Sequence, residues 1–176
     1  MELKRVVVTG LGAVTPVGNT PEETWKNLLE GKSGAAPITH FDTTLFKTKF
    51  ACEVKDLNLN DYIDRKEARK MDRYCQLAMV SAAQGIKDAG LDLEKEDLNR
   101  IGVVYGVGIG GIKTFQDEVV YYGQHEDQGP KFNPFFIPKM IADIASGQIS
   151  IQYGFHGPNY TTTSACASSS NALADA

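Results

Sequence analysis

The sequence has few cysteines, no excess of positive charge and no long apolar run, and each absence excludes a class of protein. Its 176 residues include 3 cysteines, which are too few for a disulfide framework and are not spaced like zinc ligands. The net charge is -4, so we expect no nucleic-acid partner. No run approaches the roughly 20 apolar residues that span a bilayer, and no secretory signal begins the chain. We therefore expect a cytoplasmic protein with no membrane partner.

Short apolar strands alternate with helices along the chain, which predicts a parallel α/β fold. The expected strands cover residues 4–9, 49–54, 101–105 and 159–164, and the expected helices cover 21–30, 73–89 and 137–152, with a last helix from about Cys166. Thr20 and Glu23 form a T-x-x-E capping box at the start of the first helix, and Gly31 ends that helix. Residues 123–134 are rich in turn formers and predict an exposed loop.

The segment Gly106–Gly111 contains G-x-G-x-x-G directly after a strand, which is the dinucleotide-binding fingerprint. That fingerprint also needs an acidic residue at the end of the next strand, about 20 residues on. Glu126 and Asp127 lie near that distance, but in the turn-rich loop. We favour a close-packed backbone turn with Ile109 and Ile112 buried, and keep a nucleotide-binding oxidoreductase as the alternative.

Cys166 follows a polar strand and opens a segment of small residues. A helix N-terminus offers free N–H groups and a partial positive charge, which favour a nucleophilic thiolate, and its N–H groups can stabilise an oxyanion. A small buried cysteine is the more common role, and spacing alone favours it. No catalytic role is assigned to the scattered His40, His125 and His156.

Residues 64–73 concentrate positive charge, with helical spacing that places Lys66, Arg69, Lys70 and Arg73 on one face. Such a face could dock an acidic partner. A solvated face with ion pairs at i,i+3 and i,i+4 is the simpler interpretation, and is favoured on this pattern alone. The apolar run 135–138 is typical of core or of a pocket wall.

Five segments in order resemble the bacterial 3-oxoacyl-[acyl-carrier-protein] synthases, especially their type II branch: VVVTGLGAVTPVG (6–18), RKEARKMDR (65–73), GVGIGG (106–111), NPFFIPKMIADIASGQIS (133–150) and GPNYTTTSACASS (157–169). The resemblance implies a thiolase-like α/β fold, in which helices flank a parallel or mixed sheet. Residues 1–176 would form its N-terminal half, truncated just after the nucleophile, with the C-terminal half absent.

The resemblance also implies a function: decarboxylative condensation of an acyl thioester with malonyl-acyl carrier protein in fatty-acid elongation, through an acyl-Cys166 intermediate. The family works as a homodimer, binds acyl- and malonyl-loaded acyl carrier protein, and needs no cofactor or metal. Its two catalytic histidines and a further phenylalanine match nothing in this sequence, so we expect residues 1–176 alone to be inactive.

By the same resemblance, Ile109 lines the acyl pocket and Phe136 reaches a pocket across the dimer. The carrier protein would dock on Lys66, Arg69 and Lys70, with Lys131 as a further contact. Two alternatives within the fold are a polyketide-type ketosynthase domain and a non-catalytic chain-length-factor subunit. Those subunits replace the nucleophile, so Cys166 argues against the second.

Overall fold

The computed structural model describes residues 5–176, which form two compact units. The first unit comprises residues 5–58 and 80–91, and the second comprises residues 59–79 and 92–176. Within the described part of the chain, no helix is both long enough and apolar enough to cross a membrane.

The first unit contains helix α1 (Pro21–Leu29) and a two-stranded antiparallel hairpin of β1 (Ala35–Pro37) and β2 (Phe50–Cys52). The predicted cap is confirmed, because the Thr20 hydroxyl accepts the N–H of Glu23 at 3.2 Å. The Glu23 carboxylate accepts the N–H of Asn19 at 2.7 Å, so its bond falls one residue before the position that the motif predicts. The hairpin contains the strand expected at 49–54, shortened to its centre.

Helix α3 (Arg73–Asp88) confirms the helix expected at 73–89, and its second half lies in the first unit. The N-terminal segment runs against this half. The N–H of Leu11 donates to Asp88 Oδ2 at 2.8 Å, and the N–H of Ala13 donates to Gln84 Oε1 at 3.0 Å. Glycine is required here, because a Cβ on Gly12 would lie 1.9 Å from the carbonyl oxygen of Ser81.

The strand expected at 4–9 is wrong for the residues that the structure describes, and Lys4 lies outside them. Residues 5–9 adopt no regular strand, and Val6, Val7 and Val8 are 82%, 61% and 75% exposed. A β-branched run forms a strand only when a neighbour accepts its backbone hydrogen bonds. Within residues 5–176 no strand pairs with this run.

The second unit contains one parallel strand pair with helices around it. It begins with a short helix, α2 (Arg65–Ala68), and the first half of α3. The elements that follow in chain order are β3 (Val103–Gly106), α4 (Ile112–Gln124), α5 (Phe136–Met140), α6 (Ile144–Tyr153), β4 (Asn159–Thr162) and α7 (Ser168–Asp175). Strands β3 and β4 pair from Val103 opposite Asn159 to Gly106 opposite Thr162. This pair confirms the parallel α/β class for the region around Cys166.

The helix expected at 137–152 is interrupted, and this part of the prediction is wrong. Helix α5 ends at Met140, and Ile141 adopts extended backbone angles before α6 begins. The Ile141 carbonyl accepts the Tyr74 hydroxyl at 2.5 Å, and Gly111 donates its N–H to the Met140 carbonyl at 3.0 Å. These tertiary bonds use carbonyls that a continuous helix would need.

Helix α4 was not predicted, and it takes the first two residues of the loop expected at 123–134. A short 3₁₀ turn at Glu126–Gln128 follows it, and most of the remaining loop residues are exposed. The loop expectation therefore holds from residue 125 onward.

Two glycine substitutions test the close approach in the first unit. We expect Gly12→Ala to lower the free energy of unfolding by about 1–3 kcal/mol, because its methyl group would collide with the backbone of α3. Gly85→Ala on the facing helix is the matched control, since its Cβ would lie 3.6 Å from the nitrogen of Gly12. It should raise stability by about 0.5–1 kcal/mol through helix propensity. Urea denaturation measures the free energy of unfolding of both variants. Equal changes in the two would contradict the close packing of Gly12 against α3.

Candidate active site

Cys166 lies in a tight turn between β4 and α7. Residues Ala165–Ala167 form a single 3₁₀ turn, which the N–H of Ala167 closes on the carbonyl of Ser164 at 3.0 Å. The thiol-bearing residue is exposed, so the interpretation of Cys166 as a small buried residue is wrong. The predicted helix does follow, but it begins at Ser168, two residues after the cysteine.

Ala165, directly before the cysteine, has a φ of +49°. This left-handed conformation costs a non-glycine residue about 1–2 kcal/mol, and such strain persists only where surrounding contacts hold it. Sequence reasoning could not find this feature, because alanine gives no signal for a positive φ.

The contacts that hold the turn come largely from Ser168, which is 3% exposed. Its hydroxyl accepts the N–H of Ser164 at 2.9 Å and donates to the carbonyl of Ala165 at 2.7 Å. Its own carbonyl accepts the hydroxyl of Thr162 at 2.8 Å. Ser168 was missed in the sequence because it stands in a run of three serines, of which the other two are exposed.

The glycine segment after β3 lies beside this turn. A Cβ on Gly106 would lie 2.6 Å from the backbone of Ser168, and one on Gly108 would lie 4.0 Å from the carbonyl oxygen of Ala165. Gly106 therefore lets the start of α7 approach the end of β3. The structure thus brings together the two motifs that the sequence separates by almost sixty residues.

Ile109 is 70% exposed and Ile112 is 56% exposed, which corrects the expectation that this turn buries both. The cause is the backbone of the next two glycines. Gly110 has a φ of +93°, and a Cβ on Gly110 or Gly111 would meet the backbone of residues 139–142. The glycines pack inward against the end of α5, so the isoleucine side chains face outward.

The surroundings of the glycine segment argue against the nucleotide-binding alternative. Of the three fingerprint glycines, Gly106 and Gly111 have other segments of the chain packed where a side chain would stand, while Gly108 is exposed. Glu126 and Asp127 lie in a 3₁₀ turn after α4, whereas the fingerprint needs an acidic residue at a strand end.

Phe136 stands on α5, whose end packs against the glycine segment. Its ring stacks on Phe132 with centroids 5.6 Å apart and on Phe115 with centroids 6.3 Å apart. The residue is half-buried, while Phe115, Phe132 and Phe135 each remain more than 40% exposed. The aromatic run is thus a partly open apolar surface, not a closed core.

The four basic residues do not share one helix face as predicted, because α2 ends at Ala68 and α3 begins at Arg73. Lys66 and Arg69 are exposed, and within residues 5–176 neither takes part in a salt bridge. Lys70 pairs with Glu67 at 2.6 Å, which is one of the i,i+3 pairs that the simpler interpretation expects.

Lys70 and Lys131, the remaining two residues expected to dock the carrier protein, lie beside aromatic side chains. The ammonium group of Lys70 lies 5.8 Å from the ring centroid of Phe135. Lys131 donates to Gln128 Oε1 at 3.4 Å and lines a shallow groove together with Phe132 and Phe135. Of the four basic residues expected to dock the carrier protein, Lys66 and Arg69 form no salt bridge within residues 5–176. Lys70 and Lys131 already contact neighbouring side chains.

A second group that sequence reasoning missed is Asp72, which is 8% exposed. Its carboxylate accepts the N–H of Tyr74 at 3.2 Å and the hydroxyl of Thr114 at 2.5 Å. It thereby joins the start of α3 to the first turn of α4.

Burial, with a contribution from Asp72, raises the pKa of the Cys75 thiol to about 12, so Cys75 is not a candidate nucleophile.

Comparison with known proteins gives this geometry a family. The model of the beta-ketoacyl synthase N-terminal domain matches residues 3–176. The chain is 47% identical over 177 residues to the 3-oxoacyl-[acyl-carrier-protein] synthase 2 of Synechocystis sp., covering 100% of this chain and 42% of the relative. It is 46% identical over 174 residues to that of Staphylococcus aureus, covering 98% of this chain and 41% of the relative.

Solved structures show the same relationship. The chain is similar to the ishigamide ketosynthase/chain length factor, with a TM-score of 0.81 and 27% identity over 89% of this chain and 39% of that one. It is also similar to a type II polyketide ketosynthase complex with acyl-carrier protein, with a TM-score of 0.79 and 26% identity over 97% of this chain and 45% of that one.

The chain thus spans about 42% of the length of the relatives that it matches. The part that matches carries the parallel strand pair, the glycine segment and the turn that exposes Cys166, and the family model covers all of them. The chain belongs to the beta-ketoacyl synthase family, within the N-terminal domain.

Proposed function

We propose that this chain supplies the nucleophile of a 3-oxoacyl-[acyl-carrier-protein] synthase in fatty-acid elongation, with Cys166 as the acyl acceptor. The exposed cysteine on a strained turn directly before α7 carries the proposal. The identity to 3-oxoacyl-[acyl-carrier-protein] synthase 2 is 47%, against 26% to the ketosynthase of a type II polyketide synthase, which favours fatty-acid over polyketide chemistry.

The proposed reaction proceeds in two steps. The Cys166 thiolate attacks the carbonyl carbon of an acyl thioester, and the bond to the carrier-bound sulfur breaks as that sulfur leaves. A malonyl thioester on a second carrier then loses carbon dioxide, and the resulting carbanion attacks the acyl-Cys166 thioester. The cysteine sulfur is released, and a 3-oxoacyl product two carbons longer remains on the carrier.

The acyl chain would lie against the apolar residues around the glycine segment. Ile109 follows Gly108, which adjoins the cysteine turn, and its exposed side chain is free to contact an acyl group. Phe136 belongs to the partly open aromatic surface, and we propose that this surface meets a second copy of the protein, so that each copy completes the pocket of the other. Exposed apolar residues on α4, including Phe115 and Val119, support such a contact.

Acyl carrier protein would dock on Lys66, Arg69, Lys70 and Lys131. The main contribution should come from Lys66 and Arg69, because their charges are not already paired among the described residues. Lys70 is held between Glu67 and Phe135, which offsets part of its attraction for an acidic partner.

Replacement of the nucleophile tests the proposed function directly. In the complete protein, Cys166→Ser should abolish the mass increase that follows incubation with an acyl-carrier-protein thioester, because the thiolate is lost. Cys52→Ser removes another exposed cysteine and should leave the adduct unchanged. Intact mass spectrometry with peptide mapping measures both. Acylation of the Cys166→Ser protein at wild-type level would overturn the assignment.

Charge reversal tests the docking surface. The double variant Lys66→Glu/Arg69→Glu should lower kcat/KM about ten-fold for a carrier-linked substrate, and much less for a small soluble thioester, because only the carrier is steered by charge. Lys70→Gln should lower kcat/KM for the carrier-linked substrate less than Lys66→Glu or Arg69→Glu alone.

The control for this comparison is Lys47→Glu/Arg100→Glu, which makes the same change in net charge at two exposed positions elsewhere. It should leave both substrates within about two-fold of wild type. Equal slowing of carrier-linked and soluble substrates by the docking variant would contradict the proposed surface.

A further inference from the structure

We infer that Ser168 is a positioning residue, whose buried hydroxyl holds the cysteine turn in the geometry that acyl transfer needs. This inference rests on the proposed function, because it assigns Ser168 a role through Cys166. Ser168 itself stands two residues beyond the cysteine, and its side chain points into the protein at 3% exposure.

The hydroxyl bonds both residues that lead into the cysteine. It accepts the N–H of Ser164 at 2.9 Å and donates to the carbonyl of Ala165 at 2.7 Å, with the carbonyl of Val107 at 3.2 Å. A serine hydroxyl has one hydrogen to donate and two acceptor sites. The Ala165 carbonyl, at the shorter distance, takes that hydrogen, and the Val107 carbonyl directly after β3 is a weaker second contact of the same hydrogen.

These bonds offset the strain in the turn. The positive φ of Ala165 costs about 1–2 kcal/mol, and Ser168 binds the carbonyl on its C-terminal side and the N–H of the preceding Ser164. Each hydrogen bond is typically worth about 0.5–1.5 kcal/mol. Without the hydroxyl, a right-handed conformation at Ala165 becomes competitive, and it would turn the following cysteine in another direction.

Two further hydrogen bonds join the start of α7 to the segment before the cysteine. The hydroxyl of Thr162, at the end of β4, donates to the carbonyl of Ser168 at 2.8 Å. The side-chain amide of Asn171 donates to the hydroxyl of Ser164 at 2.6 Å. The start of α7 is therefore bound to the segment before the cysteine at several points. Among the α7 residues that make these bonds, Ser168 is the buried one.

The experiment compares Ser168→Ala with Ser170→Ala in the complete protein. Ser170 stands on the same helix, is exposed, and accepts the same change. We expect Ser168→Ala to lower kcat for acyl transfer from a carrier-linked thioester about ten-fold with KM nearly unchanged, because the thiol is misplaced while the docking residues are intact. Ser170→Ala should remain within about two-fold of wild type on both parameters.

A second variant covers a failure of Ser168→Ala to fold. Thr162→Val keeps the side-chain shape but removes the hydroxyl that anchors the Ser168 carbonyl, and it should lower kcat about three-fold with KM unchanged. Wild-type kcat in folded Ser168→Ala, or in Thr162→Val when the first variant does not fold, would overturn the inference. Absence of acylation in the wild-type protein would instead overturn the proposed function, so the two failures are distinguishable.

Discussion

The close approach between the end of β3 and the start of α7 is the constraint on which the candidate site depends. A side chain at Gly106 would collide with the backbone of Ser168, 2.6 Å away, so this contact requires glycine. Because β4 pairs in parallel with β3, the chain leaves the sheet at Thr162 beside the glycine segment. The short connection from there to α7 must then turn sharply, and the left-handed Ala165 makes that turn. The exposure of Cys166 follows from this geometry.

The same glycine segment links the cysteine to the apolar surface. Gly108 adjoins the cysteine turn, and Gly111 is hydrogen-bonded to the last residue of α5, on which Phe136 stands. Ile109 lies between these two contacts and faces outward. The proposed nucleophile and the two proposed acyl contacts thus lie next to the same six residues, Gly106–Gly111. The segment is rich in glycine because its backbone at Gly106, Gly110 and Gly111 packs closely against other parts of the chain.

Local signals in the sequence predicted the features that local physics determines. The Thr20 cap, the boundaries of α3 and the strand before Gly106 all depend on side chains and backbone within a few residues. The failures depend on distant partners. Val6–Val8 needs a neighbouring strand to pair with, and the break at Ile141 arises from a hydrogen bond to Tyr74. Cys166 became a candidate nucleophile through the family resemblance of its segment, whereas spacing alone favoured a small buried residue. Ser168 and the strain at Ala165 were visible only once β3 and α7 were brought together.

The most direct test of this account is the alkylation rate of Cys166 relative to Cys52 in the same molecule, measured by iodoacetamide labelling and peptide mapping. The comparison is between Gly106→Ala and Gly123→Ala, since a Cβ on Gly123 meets no atom within 4 Å. The account predicts that Gly106→Ala displaces the start of α7 and changes the ratio of the two rates by about three-fold or more, while Gly123→Ala leaves it at the wild-type value. An unchanged ratio in folded Gly106→Ala would contradict the claim that this close approach positions the cysteine.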